Sequence, residues 1–102
     1  MKTCYLDKEH RAIADLVAPM EITPFWTITR INVPDIHRGK GLGSKLLKAI
    51  LQDADQEQVT LALEVFSSGD LDYSDLVNWY GRYGFTVPRF GYLVRKPLRR
   101  EQ

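Results

Sequence analysis

The sequence predicts an α/β or α+β domain, and three stretches carry that prediction. "FWTITRINV" (25–33) is β-branched and aromatic, which reads as a strand. "VTLALEV" (59–65) is almost continuously apolar, as a strand is when both of its faces are covered. Between them, "HRGKGLGSKLLKAILQDA" (37–54) packs three glycines into a loop and then runs into a helical pattern. Strand, glycine loop, helix, strand, helix, strand is the order of a layered α/β or α+β domain.

The elements follow in chain order. "TCYL" (3–6) reads as a short strand and "DKEH" as a charged turn. "RAIADLVA" (11–18) has two readings. The spacing of Ile13, Leu16, Val17 and Met20 suits a helix capped by Asp7, but a second hairpin strand fits as well. Pro19 and Pro24 bracket a break, and Pro34 ends the strand over 25–33 because it has no N–H to donate. Leu46, Leu47, Ile50, Leu51 and Ala54 form one apolar helix face. "SSGDLD" (67–72) reads as a loop. "SDLVNWYGRY" (74–83) repeats Leu76, Val77, Tyr80 and Tyr83 at helical spacing, with Gly84 at the C-terminal cap position. "FGYLVRK" (90–96) reads as the last strand.

Composition bounds the function. A chain of 102 residues is long enough for one core. At 44% hydrophobic and 26% charged it is not a disordered composition. A net charge of +1 gives no global field toward nucleic acid or membrane, no run approaches a membrane span, and no signal peptide opens the chain. The expected location is therefore the cytoplasm. The single cysteine, Cys4, fits a reducing compartment and reads as a small strand residue rather than a nucleophile.

The loop is the chemical feature. Glycines at 39, 41 and 43 let a ligand approach the backbone, and the helix that follows presents N–H groups and partial positive charge. Together these suit phosphate, and Arg38 and Lys40 add charge for a polyanion. Ser44 either caps the helix or bonds a phosphate oxygen. A tight turn that merely needs glycines is the plainer reading. The spacing is neither the Walker loop nor the G-x-G-x-x-G dinucleotide fingerprint.

R-G-K-G-L-G, from Arg38 to Gly43, resembles the R/Q-x-x-G-x-G/A signature of the GNAT-type N-acetyltransferases. "INVPDIHRGKGLGSKLL" resembles that family's whole run from central strand to helix, and "NWYGRYGF" (78–85) resembles its second signature. The resemblance covers about residues 25–96. It implies a compact, N-terminally reduced member in one domain over 1–102. Residues 1–24 would be a reduced hairpin region, and 25–96 the cofactor-binding core.

The resemblance also implies roles. Strands 25–33 and 59–65 would be neighbouring parallel strands of a mixed sheet that splay apart around acetyl-coenzyme A. The backbone from Ile31 to Val33 would pair with its pantetheine arm, with the N–H near Val33 polarising the thioester carbonyl. Arg38, Gly39, Lys40, Gly41, Leu42, Gly43 and Ser44 would hold the pyrophosphate. Tyr80, five residues before Phe85, would protonate the departing thiolate; a core aromatic is its plainer reading. Relatives often take a glutamate on a splayed strand as base. Glu64 is the one acid inside 59–65, and its alternatives are a solvated strand end or a partner for Arg30. Asp35 and His37 are weaker candidates.

Two departures from the family stand out. Its asparagine, seven residues before the tyrosine, is Tyr73 here, in a connection from Val65 to Tyr80 that is a few residues long for the family, and only 24 residues precede Phe25; Gly81 also falls inside the second helix. The short N-terminal region leaves the acceptor cleft either open, suiting a protein or peptide amine, or completed by a second subunit in a homodimer. Phe25, Trp26, Trp79 and Tyr92 are candidates to line it. Transfer of acetyl to a primary amine of a protein, peptide or small molecule by direct attack is the first expectation, without a metal. An inactive acyl-coenzyme A-binding or interaction module is the alternative. Arg89, Arg95, Lys96, Arg99 and Arg100 suggest a nucleic-acid binder, against which the near-neutral charge weighs.

Overall fold

The computed structural model describes residues 1–22, 24–37, 39, 41–65, 72–89 and 91–98. In chain order these form β1 (Cys4–Asp7), β2 (Ala12–Val17), β3 (Trp26–Asn32), a 3-10 turn (Asp35–His37), α1 (Leu42–Glu57), β4 (Leu61–Glu64), α2 (Tyr73–Gly81), β5 (Thr86–Arg89) and β6 (Tyr92–Arg95). One mixed sheet has the order β1-β2-β3-β4-β6-β5, in which β3 and β4 are parallel and the other neighbours antiparallel. The predicted loop over 67–72 lies outside the described residues except for Asp72. Among the described residues, no helix is long and apolar enough to cross a membrane.

The stretch with two readings is a strand. Ala12, Ala14 and Leu16 are buried while their neighbours are less so, which is the period of a strand and not of a helix. Asp7 therefore caps no helix. It ends β1 and takes the His10 N–H at 3.2 Å, closing the hairpin turn.

Tyr5 sits opposite Ala14, and its hydroxyl donates to Asp53 of α1 at 2.6 Å. That face of the sheet thus carries α1, and the fully buried Ala12 and Ala14 leave room for it. Leu47 and Ile50 of α1 meet Leu61 and Leu93 of the sheet in the centre of the core. Each such side chain contributes about 1.5–3 kcal/mol when fully buried. The buried row of α1 is the apolar face predicted for it, extended back to Leu42.

β5, "TVPR", is an addition to the predicted elements. All four residues are exposed, so no hydrophobic pattern marks it. Pro88 is tolerated because β5 lies at the sheet edge, where a missing N–H breaks no ladder.

Candidate active site

β3 and β4 pair only at Trp26–Leu61 and Thr27–Ala62, and then part. β3 continues to Asn32 along β2, with a register shift between Asp15 and Leu16 that leaves Thr29 as a bulge. A bulge bends its strand and adds twist. Beyond Thr27 and Ala62 the two parallel strands diverge at their C-terminal ends.

The glycine loop lies at that divergence. Pro34 follows β3, and its carbonyl accepts the His37 N–H at 2.9 Å as the chain turns. Gly39 (φ 84°) and Gly41 (φ 76°) are left-handed, a conformation that costs other residues about 1–2 kcal/mol. Gly41 is the N-cap of α1 and supplies no side-chain cap, so the first helical N–H groups keep no acceptor inside the helix. Lys45 N–H is bonded, to Gly41 O at 3.0 Å. Ser44 is the third residue of α1, so the capping alternative falls away.

A cleft of about 820 Å³ joins these parts. Ile31, Asn32 and Val33 line it from β3; His37, Gly39, Gly41, Leu42, Gly43 and Ser44 from the loop and α1; Asp75, Leu76, Asn78, Trp79, Tyr80 and Arg82 from α2 and its end. Eight of the site residues expected from sequence meet there, namely Ile31, Val33, Gly39, Gly41, Leu42, Gly43, Ser44 and Tyr80. Arg38 and Lys40 lie outside the described residues. Glu64 does not line the cleft; it is exposed at the C-terminal end of β4, opposite Tyr92.

α2 forms the aromatic wall. Asp72 caps it, accepting the Asp75 N–H at 2.9 Å. Tyr80 packs edge-on against Trp79 (4.8 Å) and Phe85 (5.4 Å). Burial pushes its hydroxyl up to about 12, so it holds its proton throughout the physiological range. A Cβ built on Gly43 would stand 3.9 Å from Val33 and 4.0 Å from Trp79, so the wall closes onto the first turn of α1.

Other expectations change. Gly81 is the last residue of α2 rather than an interior one, and a Cβ there would meet nothing within 4 Å. Tyr73 accepts the Gly91 N–H at 2.8 Å, tying α2 to the β5–β6 turn. Arg30 donates to Asp15 at 2.8 Å rather than partnering Glu64. Arg95 is only 4% exposed and forks onto Asp55 at 2.8 and 3.0 Å, so it is no free cation for a phosphate backbone. Asp75 and Arg82 are cleft residues the sequence reading missed. Their spacing from Asn78 places all three on one helix face, a pattern that by itself does not distinguish a cleft from solvent.

Comparison with known proteins agrees with this geometry. The family model for the acetyltransferase (GNAT) domain matches residues 10–89. No curated protein sequence matches the chain. Among solved structures, the anti-CRISPR protein AcrVA5 superimposes with a TM-score of 0.69 at 15% identity, over 91% of this chain and 98% of that one. A histone acetyltransferase HPA2 and related acetyltransferase from Corynebacterium glutamicum gives 0.68 at 18% identity, over 95% and 64%. The ribosomal-protein-S18-alanine N-acetyltransferase of Escherichia coli gives 0.66 at 22% identity, over 88% and 64%. The chain spans nearly all of the first and less than two-thirds of the other two. At these identities the likeness is one of fold.

Proposed function

The chain belongs to the GNAT acetyltransferase family, and we propose that it moves an acetyl group from acetyl-coenzyme A to a primary amine by direct attack. One observation carries the reading: a single cleft joins the divergent ends of the parallel strands, the glycine loop at the start of α1, and Tyr80.

The residues present suit the co-substrate. Gly39, Gly41 and the first N–H groups of α1 offer an anion a backbone surface without side chains, at the positive end of the helix. A Cβ on Gly39 or Gly41 would meet nothing within 4 Å, so the loop is open on its outer side. Leu42, Gly43 and Ser44 would complete the pyrophosphate cradle, with Arg38 and Lys40 supplying charge. Ile31 to Val33 would hold the pantetheine arm and orient the thioester carbonyl.

In the reaction the amine nitrogen forms a bond to the carbonyl carbon, and the carbon–sulfur bond breaks. Tyr80 would hydrogen-bond the departing sulfur and then give up its proton to it. Glu64, at the end of β4, would take the amine's proton through water. The chain over 1–102 would act as one unit, with 1–24 as hairpin support and 25–96 as coenzyme core. Its acceptor is a primary amine of a protein, a peptide or a small molecule.

Thermal unfolding with and without acetyl-coenzyme A, with ATP as control, tests the reading. A ligand at 100 times its Kd stabilises by about 2.7 kcal/mol, and each kcal/mol raises Tm by roughly 4–8 °C in a domain of this size. A rise with the coenzyme alone is expected, followed by thiol release in an amine panel. No rise at millimolar coenzyme overturns the reading. The position of Glu64 outside the cleft lining favours one alternative, an acyl-coenzyme A-binding module without transfer. Stabilisation with no thiol release from any amine would select it.

A further inference from the structure

The rim of the cleft carries a histidine that acetyl transfer leaves without a task. His37 ends the 3-10 turn and lines the cleft beside Gly39 and Ser44. Its ring meets the ring of His10, from the β1–β2 turn, edge-on at 4.9 Å and 79°. His10 is itself anchored. Its backbone N–H donates to Asp7 Oδ1 at 3.2 Å, and its Nδ1 lies 3.4 Å from the same oxygen. Lys45 of α1 donates to the other carboxylate oxygen at 3.4 Å. Desolvation would raise the Asp7 carboxyl, but the hydrogen bonds from His10 and Lys45 prevail and hold it below the usual carboxylate range. The hairpin turn is thus braced on α1 by an ionised group and presents His10 to the cleft rim.

We infer that His37 is a coenzyme-contacting residue that takes up a proton as the phosphates bind, and that His10 is the positioning residue holding its ring at the rim. The inference rests on the acyl-coenzyme A reading of the cleft. Histidine titrates near 6.5 when unperturbed, so a neighbouring polyanion shifts it through neutrality. Among the described residues, the charges at the histidine pair and along the cleft divide by sign: Asp7 beside His10 and Asp75 in the cleft wall favour an imidazolium, while Lys45 beside Asp7 and Arg82 in the cleft wall oppose it. Added phosphates tip this balance toward the charged ring. The sign of the linkage follows. A group whose pKa is higher in the complex takes up protons on binding, so affinity rises as pH falls from about 8 to about 6. Through His10, the short N-terminal hairpin would serve the coenzyme site.

The chain has only two histidines, so ring NMR signals are assigned by His10→Asn and His37→Asn alone. Coenzyme A is titrated between pH 5.5 and 8. 3′-Dephospho-coenzyme A is run in parallel, because a phosphate monoester itself titrates near pH 6. In the wild type the His37 midpoint is expected to rise by about one pH unit at saturation, with affinity for either coenzyme improving up to about tenfold from pH 8 to pH 6. His37→Asn should still bind at pH 8 and lose most of that gain. His10→Asn should bind about two- to fivefold more weakly at every pH, with a smaller rise in the His37 midpoint. A His37 midpoint that does not move at saturation, or a His37→Asn variant with the wild-type pH slope, overturns the role of His37. A His10→Asn variant matching the wild type in both readouts overturns the role of His10. Folded wild type that binds no coenzyme A at any pH overturns the coenzyme reading itself, which is a separate failure.

Discussion

Burial holds the Tyr80 hydroxyl near 12, against about 10 for an exposed phenol. A thiol of ordinary acidity titrates near 8.5, so outright proton transfer from Tyr80 to a free thiolate is uphill by about 5 kcal/mol. Tyr80 therefore serves best as a hydrogen-bond donor while the carbon–sulfur bond lengthens, and full transfer of its proton to sulfur is the costlier step. Tyr80→Phe is expected to lower kcat by about a hundredfold or more, with little change in KM for acetyl-coenzyme A. The pH–rate profile follows in sign: Tyr80 stays protonated well above neutrality, so its ionisation gives no falling limb near pH 9. A limb at pH 9 that vanishes in Tyr80→Phe would count against this. Glu64→Gln should lower kcat about tenfold or more with KM for acetyl-coenzyme A little changed, and unchanged kinetics would leave that base elsewhere. Tyr80 was legible in the sequence through its fixed distance from Gly84 and Phe85. Asp75 and Arg82 were not, because a polar side chain on an amphipathic helix reads as solvent-facing until the helix is placed over a cleft.

The long, regular elements were the readable ones. α1 announces itself through a five-residue apolar face, and β3 through its β-branched run. β2 was ambiguous because six residues hold too few periods to separate 2.0 from 3.6, and its alanines favour a helix locally. Pairing with both β1 and β3 decided it, and that pairing is tertiary. β5 was invisible because an exposed edge strand carries no buried face. The loop's glycines were legible as a group, but their geometry separates them. Gly41→Ala places a side chain at φ 76° and should cost about 1–2 kcal/mol while weakening coenzyme binding through the displaced start of α1. Gly81→Ala, at the helical end of α2 with open space around it, should leave Tm unchanged or raise it by several degrees, from about 0.4–1 kcal/mol. Calorimetry on the pair checks both. Equal changes at the two positions would mean that the left-handed conformation at Gly41 is not what sets its cost.

One buried ion pair joins parts of the chain that no local pattern connects. Asp55 leaves α1 to meet Arg95 of β6, forty residues on. The Arg95 Nε also donates to Tyr83 O at 2.8 Å, in the turn after α2. Asp55 in turn accepts the Leu98 N–H at 2.9 Å, so the segment after β6 is fastened to α1. Asp55→Asn leaves a nearly buried guanidinium without its counter-charge, at a cost of about 2–4 kcal/mol. Arg95→Met should cost less, because Asp55 retains some solvent contact. The pH dependence has a definite sign. Arg95's hydrogen bonds outweigh desolvation and lower the Asp55 carboxyl, so its stabilisation is present above the ordinary carboxylate range and is lost as pH falls through the lower folded value. At the other limit, burial raises Tyr80, and burial with the hydrogen bond to Asp53 raises Tyr5, each to about 12. Their stabilisation is complete below pH 10 and is lost as pH rises toward 12, by a few kcal/mol at most for Tyr80. Tm measured from pH 3 to 11.5 should therefore form a plateau with two shoulders. Asp55→Asn should shrink the acid shoulder, to which Asp7 also contributes, and leave the alkaline one; Tyr80→Phe should shrink the alkaline shoulder, to which Tyr5 also contributes, and leave the acid one. If both variants lower the whole curve in parallel, the ionisations are not what shape it, and packing around the pair and the ring carries the stability instead.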